Sequence, residues 1–241
     1  MEAAHEGVDG LPVRAIAEGG IVALVSDVPA ETFDQPALDD NVRDGRWLTP
    51  RATAHQAVNA SAHAALDASL PVPFGTIYRS DDRIREMLRS RAEELRAKLA
   101  ALRGRSEWVV GVHRDTVRAA EHLAQVRDAL ARSAPAPASP GRRYLEKRRD
   151  ETEMRAELRR LDEEASIASR HALARVSKSS FEEPVVEEAG DLVARITYVL
   201  RGEDEHRFSD AIDGFNADWK ARGYELRATG PWPTYRSSGA Q

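Results

Sequence analysis

The stretch LVARITYVL, residues 192–200, alternates apolar side chains with others at a period of two. Successive side chains of a β-strand point to opposite faces of a sheet, so this stretch predicts a strand with one buried face. The residues that share that face are Leu192, Ala194, Ile196, Tyr198 and Leu200.

The segments on either side of this strand complete an ordered series of strands and helices. A strand at 107–113, reading EWVVGVH, precedes a helix at 116–132, and a second strand is expected at 181–187. After residue 200 comes a helix with the apolar residues Phe208, Ile212, Phe215 and Trp219, and then a last strand at 224–229. The order β-α-β-β-α-β is that of the split βαβ, or ferredoxin-like, fold.

A long helical insertion, about 141–176, follows the connector SAPAPASPG at 133–141. Its apolar residues recur at alternating steps of three and four, so they form one narrow seam with charged residues elsewhere. Such a helix packs on one neighbour within its own domain, or pairs as a hairpin or coiled coil. The seam consists of Met154, Leu158, Leu161, Ala165, Ala168 and Ala172.

The first half of the chain predicts a β-β-α-β-α order. β-favouring runs at 13–16 and 21–26 flank Glu18-Gly19-Gly20, which is typical of a hairpin. After an acidic loop, Thr49 is expected to cap a helix that reaches about residue 68, with Pro50 at its first position.

Residues 70–78, reading LPVPFGTIY, are expected to be extended, because each proline disfavours the helical conformation of its predecessor. Within them, Phe74-Gly75 is a place where another element could approach the backbone closely. A helix at 81–103 follows. We therefore expect an α+β chain of two small domains, 1–104 and 105–241.

The composition limits the kinds of site that the chain can carry. None of its 241 residues is cysteine, which excludes disulfides, zinc thiolate sites and cysteine nucleophiles. A net charge of −5 with 31% charged residues indicates a soluble chain. The sequence contains no run of about 18 apolar residues, so it predicts no membrane span. No signal peptide is evident. We expect a cytoplasmic protein that contacts no membrane.

No arrangement of residues indicates catalysis. His55 and His63 share a face of the predicted helix with Asn59, but a metal would need further ligands from elsewhere. There is no nucleophile elbow, P-loop, dinucleotide-binding glycine motif or His-Glu-x-x-His. We therefore predict a protein that is not an enzyme and has no catalytic residue, no metal and no cofactor.

One alternative stays open, a nucleic-acid- or ligand-binding regulatory module of ferredoxin-like topology. RNA-binding domains of this topology need aromatic side chains on central strands and a basic sheet face. Tyr198 is the one aromatic residue of the strand at 192–200, in an acidic region, and the basic segment is GRRYLEKRR at 141–149. We expect no nucleic-acid partner.

A set of motifs in fixed order carries a resemblance to a known family. The motifs are VRAIAEGGIVALVSDVP (13–29), LPVPFGTIYRSDDRIREML (70–88), EWVVGVH (107–113), SPGRRYLEKRR (139–149) and YELRATGPWPTY (224–235). With these motifs the chain resembles the GvpL/GvpF family of gas vesicle proteins from about residue 11 to residue 235, and His55 matches a histidine common in that family. It departs from the family in lacking a Tyr-rich first strand, which leaves an edge of the N-terminal sheet unpaired.

The resemblance implies a non-enzymatic accessory protein of the gas vesicle. Its expected partners are the small, hydrophobic major shell protein and other gas vesicle accessory proteins, and its expected role is in nucleation or assembly. We hypothesise that an apolar groove between the two domains, or beside the long helix, shields the shell protein. The candidate contacts are Phe74, Tyr78, Met154, Leu158 and Leu161.

The segment Gly230-Pro231-Trp232-Pro233-Thr234-Tyr235 is predicted to act as a structural latch. Its two prolines fix the backbone and remove two amide donors, so the last strand is expected to stop at Thr229. Trp232 and Tyr235 are then expected to pack back onto the fold.

Overall fold

The structure, a computed structural model, describes residues 6–131, 140–185 and 190–238, with no side-chain detail at 130–131 and 140–151. The connector at 133–139 and the end of the predicted strand at 186–187 lie outside the described residues. By their contacts, the residues form two compact units, Met1–Glu107 with Pro231–Gln241, and Trp108–Gly230. The last residues therefore group with the first unit, whereas the sequence placed them in the second.

Six strands and the helices between them make up the described part of the chain. The strands are β1 (Arg14–Glu18), β2 (Ile21–Val25), β3 (Arg105–Arg114), β4 (Ser179–Glu183), β5 (Leu192–Arg201) and β6 (Tyr224–Trp232). The helices are α1 (Ala30–Phe33), α2 (Ala37–Asn41), α3 (Gly45–Ala65), α4 (Asp81–Ser90), α5 (Ala92–Leu102), α6 (Thr116–Ala131), α7 (Pro140–Ala174), α8 (Glu205–Trp219) and α9 (Tyr235–Ser238).

The second unit has the predicted ferredoxin-like arrangement. Its sheet has the strand order β4-β5-β3-β6, so the first and third strands of the β-α-β-β-α-β series lie in the middle. The mixed fold class predicted from the sequence is confirmed. β4 and β5 pair antiparallel, with Phe181 opposite Thr197.

One face of β5 forms the centre of this unit's core, but Thr197 and Val199 on its other face are also buried, so the expectation of a single buried face is wrong for residues 196–200. Ile196, Tyr198 and Leu200 are buried in this core with Phe208 and Phe215 of α8. The long helix α7 closes the same core with Leu161, Ala165 and Leu173. Each large apolar side chain buried in this way favours folding by about 1.5–3 kcal/mol.

Polar contacts fix α7 beside its neighbours. Arg114 of β3 donates to Asp162 over 2.6 Å, and the Tyr224 hydroxyl donates to the same carboxylate over 2.7 Å. Arg127 of α6 lies 3.0 Å from Glu157. The insertion therefore packs within its own unit, one of the arrangements that the seam predicts.

The first unit is built on the predicted hairpin. β1 and β2 pair antiparallel from Arg14–Val25 to Glu18–Ile21, joined by Gly19 and Gly20. Both glycines have positive φ, 58° and 79°, as a type I′ turn requires. The inner face of the hairpin packs on α4 and α5, and this core consists of Ile16, Ile21, Ile84, Leu88 and Leu95.

The helical boundaries differ from the predictions at two places. α3 begins at Gly45, because Asp44 caps it by accepting from the Arg46 amide over 2.9 Å, and Pro50 lies inside the helix. The expected cap at Thr49 was therefore wrong. The helix predicted at 81–103 is two helices, α4 and α5, because Arg91 leaves the helical conformation at ψ 15°.

The strand predicted at 70–78 is also wrong. The segment lies between α3 and α4 and has no strand partner among the described residues. Pro71 and Pro73 carry no amide donors, so this segment cannot supply a regular ladder of hydrogen bonds.

β6 runs three residues further than predicted, to Trp232. It lies at the edge of the sheet beside β3, and an edge strand tolerates the missing donor of Pro231. Pro233 and Thr234 are then fully buried, and α9 begins at Tyr235.

Candidate functional site

An apolar groove of about 450 Å³ opens on the surface of the first unit. Its walls come mainly from two stretches of chain, 24–28 at the end of β2 and 72–81 up to the start of α4, and His55 and Val58 of α3 also line it. Residues 72–80 are irregular, with a turn at 74–75, so they form a wall whose backbone is not part of a sheet. The groove therefore lies in one unit of the fold.

Aromatic rings form a cluster at the groove. Phe74 lies edge-on to His55 at 5.7 Å and to Trp47 at 6.3 Å between ring centroids. Trp47 in turn contacts buried Phe33 at 5.2 Å, with the Arg51 guanidinium 4.5 Å above its ring. Such tilted and edge-to-face contacts each stabilise by about 0.5–1.5 kcal/mol beyond the area they bury.

His55 is the titratable member of this cluster. Its side chain is half-buried, and burial lowers the pKa of the imidazole below its ordinary value. Asn59 lies one helical turn away, with its amide nitrogen 3.4 Å from His55 Nδ1. The ring is therefore uncharged at neutral pH, which suits an apolar wall.

Ion pairs line the rim of the groove. Arg14 of β1 lies 2.6 Å from Asp27 and 2.7 Å from Asp81, and these hydrogen bonds lower the pKa of both carboxyl groups. Arg79 pairs with Asp34 at 2.8 Å. The rim carries three carboxylates and two guanidinium groups, so its net charge is negative.

Gly75 sets the bend of the 72–81 wall. Its φ of +84° is one that glycine adopts without strain, and the following Thr76 hydroxyl donates to the Pro73 carbonyl over 2.7 Å. A Cβ at this position would lie 3.5 Å from Leu38, which is an ordinary contact. The expected close approach of another element is therefore not what this glycine provides.

The mouth of the groove exposes large apolar side chains. Leu24, Val72, Ile77 and Tyr78 are 39%, 46%, 40% and 39% exposed, and all four line the groove. Singly exposed apolar residues are common, but a contiguous group around a concavity indicates a surface that binds something.

The predicted contact residues fall into two sets. Phe74 and Tyr78 both line the groove of the first unit. Met154, Leu158 and Leu161 belong to the second unit, where Leu161 is buried at 7% exposure and Leu158 packs against the same core. The structure therefore brings Phe74 and Tyr78 together at one groove, whereas Leu158 and Leu161 of the seam pack within the second unit.

The segment predicted as a latch is held in the first unit by a buried carboxylate. Glu107 accepts from the Arg236 amide over 3.1 Å, and from the amide and hydroxyl of Ser237 over 2.8 Å each. It thus accepts hydrogen bonds from amides in the first turn of α9, as an N-cap side chain does. Trp232 and Tyr235 are half-buried, and burial raises the pKa of the Tyr235 hydroxyl.

The other residues that the sequence analysis considered as sites make contacts within the fold. The two ring nitrogens of His63 lie 3.2 Å from Ser69 and 3.1 Å from Ser106. Tyr198 faces the core of the second unit, so it is not exposed for stacking on a base. The side chains of 141–149 lie outside those described. Among the described residues there is no group of three potential metal ligands, and no helix long and apolar enough to cross a bilayer.

Two residues of the aromatic cluster, Phe33 and Trp47, were not predicted. Trp47 lies eight residues before His55, a spacing that puts both on one face of a helix. That signal was missed because the predicted helix began at Thr49. Phe33 comes from a short helix in a stretch that resembled an acidic loop, and no periodicity marks it.

Comparison with solved structures identifies the class of fold. The crystal structure of the gas vesicle protein GvpF from Anabaena sp. PCC7120 aligns with a TM-score of 0.69 over 98% of this chain and 91% of that one, at 18% identity. GvpF from Microcystis aeruginosa aligns at 0.63 over 97% and 91%, also at 18% identity. At this level of identity the likeness concerns the fold.

Sequence comparison identifies the family. Gas vesicle protein L of Streptomyces sp. (strain CB03234) is 31% identical over 99% of this chain and 87% of its own length. Gas vesicle protein L1 of Halobacterium salinarum (strain ATCC 700922 / JCM 11081 / NRC-1) is 26% identical over 95% and 82%. Residues 1–236 match the family described as gas vesicle synthesis protein GvpL/GvpF, and the chain belongs to this family.

Proposed function

We propose that this chain is a non-enzymatic accessory protein of the gas vesicle that binds the small hydrophobic shell protein and assists its nucleation or assembly. Family membership supports the gas vesicle role. The observation that carries the binding step is the group of exposed apolar side chains around the groove, Leu24, Val72, Ile77 and Tyr78. The protein acts in the cytoplasm, with other gas vesicle accessory proteins as further partners.

The groove suits this role because its apolar surface can cover the apolar surface of a hydrophobic partner. Three members of its aromatic cluster, Phe33, His55 and Phe74, line the groove as a fixed apolar wall, and the ion pairs at the rim keep the surrounding surface wetted. Burying apolar surface contributes roughly 25 cal/mol per Å², so contact with even a short apolar segment is favourable. Phe74 and Tyr78 are the contacts we propose first.

The seam of α7 is a second, separate set of proposed contacts. Leu161 faces the core of its own unit, so a charged substitution there would unfold the unit rather than test binding. Met154 is half-buried, and its replacement by serine tests the seam with less damage to the core.

Co-expression with the neighbouring gas vesicle genes, followed by pull-down, tests the proposal. Wild type should retain the shell protein, and Tyr78→Asp should retain at least about tenfold less, a difference of about 1.4 kcal/mol. Val117→Asp is the matched control, because Val117 is 68% exposed on α6 of the second unit and does not line the groove. Equal recovery with all three proteins, each shown to be folded by circular dichroism, would refute the groove as the binding surface.

A further inference from the structure

β6 is an edge strand of the second unit's sheet. The strand order β4-β5-β3-β6 places β3 on one side of it, and no strand of the described residues lies on the other side. A strand edge that stays open presents main-chain N–H and C=O groups to any other extended chain, so native proteins close such edges in one way or another.

A side chain of α8 closes this edge at Leu226. Asn216 Oδ1 accepts a hydrogen bond from the Leu226 amide over 2.6 Å, and Asn216 Nδ2 donates to the Leu226 carbonyl over 3.2 Å. A primary amide has the same donor and acceptor pair as a peptide group, so Asn216 bonds Leu226 as a neighbouring strand would. The main-chain groups of Leu226 therefore point away from β3.

The place of Asn216 in its helix supports this role. Asparagine is a poor residue for a helix interior, yet Asn216 lies within α8, directly after the buried Phe215. Its side chain is half-buried, and both of its polar atoms bond the strand. The residue therefore serves β6 at a cost in helix propensity.

The residues around Leu226 are complementary to a second copy of themselves. The main-chain groups of a strand alternate in direction, so those of Tyr224 and Ala228 point the same way as those of Leu226. If two β6 strands pair antiparallel about a two-fold axis at Leu226, Glu225 of each copy lies opposite Arg227 of the other. Directly opposite residues have Cβ atoms about 4.5–5.5 Å apart, and opposite charges at that spacing attract.

Exposure and charge favour a second copy as the occupant. Glu225 and Arg227 are exposed, while their neighbours Tyr224 and Leu226 are buried in the core, so the two charges lie on the outer face of the sheet. Arg227 already donates to Glu225 of its own strand, so these two side chains add no net charge to the edge. A different chain would have to supply the matching order of charges, which this chain itself contains.

We propose that β6 carries a self-complementary edge for a second copy of this chain, and that the Asn216 side chain keeps this edge closed. The inference is independent of the groove and of the shell protein. With Asn216 in place, a second β6 must break both hydrogen bonds to Leu226 before it can pair. Without Asn216, the N–H and C=O groups of Leu226 lose their partners, and pairing with a second copy supplies new ones.

Sedimentation of Asn216→Ala over about a hundredfold range of concentration tests the closed edge. The variant should dimerise at least about tenfold more tightly than wild type. Alanine favours a helix, so α8 should stay intact. Asp213→Ala, an exposed change on the same helix, is the matched control and should behave as wild type. A folded Asn216→Ala that associates no more than wild type would overturn the inference.

Charge reversal tests the register of the pairing. Added to Asn216→Ala, Arg227→Glu places like charges opposite each other and should weaken the dimer at least about tenfold. The further change Glu225→Arg restores opposite charges, and the affinity should return to within about twofold of that of Asn216→Ala alone. A dimer that is insensitive to both changes does not pair through this edge and contradicts the proposal.

Hydrogen exchange gives a second readout. The Leu226 amide should exchange slowly in wild type, at least about tenfold faster in monomeric Asn216→Ala, and slowly again in its dimer, together with the Ala228 amide. If Asn216→Ala does not fold, Asn216→Asp, which keeps the acceptor and loses the donor, takes its place in each measurement. Rapid exchange of Leu226 in wild type would show that Asn216 does not close the edge. A monomeric Asn216→Ala that recovers more shell protein than wild type would assign the edge to another occupant and overturn the inference.

Discussion

At the scale of the residue, His55 shows how one polar side chain is accommodated in an aromatic wall. It contacts Phe74 edge-on and stays uncharged because burial opposes its protonation. Protonation would place a charge among Phe33, Trp47 and Phe74, where water cannot fully solvate it. His55 therefore makes the stability of the groove depend on pH.

The first prediction concerns the direction of this dependence. The pKa of His55 is lower in the folded than in the unfolded chain, so the unfolded chain binds more protons as pH falls below about 6.5. The His55 contribution to stability is therefore intact above that pH and is lost as pH falls towards the folded pKa. Urea unfolding at pH 7.5 and 5.5 should show a smaller loss of stability for His55→Gln than for wild type.

His206→Gln is the matched control for this measurement, because His206 lies exposed on α8. It should follow the wild-type pH dependence. If His55→Gln loses as much free energy of unfolding as wild type between the two pH values, His55 does not carry the effect.

At the scale of the element, the β1–β2 hairpin depends on its turn. Gly19 and Gly20 both adopt left-handed conformations, and a Cβ at Gly20 would meet nothing within 4 Å. Any effect of a side chain there is therefore an effect on backbone conformation alone. The turn also sets which amides of β2 point outward, so it controls both the stability and the register of the hairpin.

The second prediction follows from this geometry. Gly20→Val should lower the free energy of unfolding by about 1–2 kcal/mol, because a β-branched residue resists positive φ. Gly20→Asn should cost no more than roughly half of that, since asparagine tolerates this conformation. Urea unfolding of the two variants beside wild type makes the comparison. Equal stability of the valine and asparagine variants would show that the turn is not type I′ in solution.

Local sequence patterns predicted those elements whose signals are local. The alternation of Leu192–Arg201 and the glycines between β1 and β2 were sufficient for a strand and a hairpin. The segment at 70–78 was misjudged because its prolines disfavour a helix but do not by themselves supply a strand partner. Trp47 was missed because α3 begins at the hydrogen bond that the Asp44 side chain accepts from the Arg46 amide. Thr49-Pro50 has the same sequence pattern of a helix start, so the sequence did not distinguish the two positions.

At the scale of the whole molecule, the two units are not two consecutive stretches of chain. Residues from Pro231 onward group with the first unit, and Glu107 binds the start of α9 there. Sequence patterns do not predict that the end of the chain packs with the first unit. The hydrogen bond between Glu107 and Ser237 joins residues that no local periodicity relates. The prolines of 231–233 nevertheless indicated that this segment is stiff.

The third prediction tests the role of Glu107. Glu107→Gln keeps the shape but removes the charge and one acceptor oxygen, so it should cost about 1–3 kcal/mol of stability. Hydrogen exchange should accelerate in α5 and α9, which pack together in the first unit, more than in β5. Glu225→Gln, an exposed change on β6, is the control and should alter neither. Equal acceleration in β5 would contradict the division into two units.

The contact between Glu107 and α9 also has a consequence for the order of events during synthesis. The ribosome makes Glu107 early and Ser237 only after the whole second unit has been translated. Domains tend to fold as they emerge from the ribosome. The hairpin, α3 and α4 can therefore bind other proteins during synthesis, before the first unit is complete. A buried carboxylate without its donors is costly, so this unit passes through a translational stage in which it is less stable than in the finished protein.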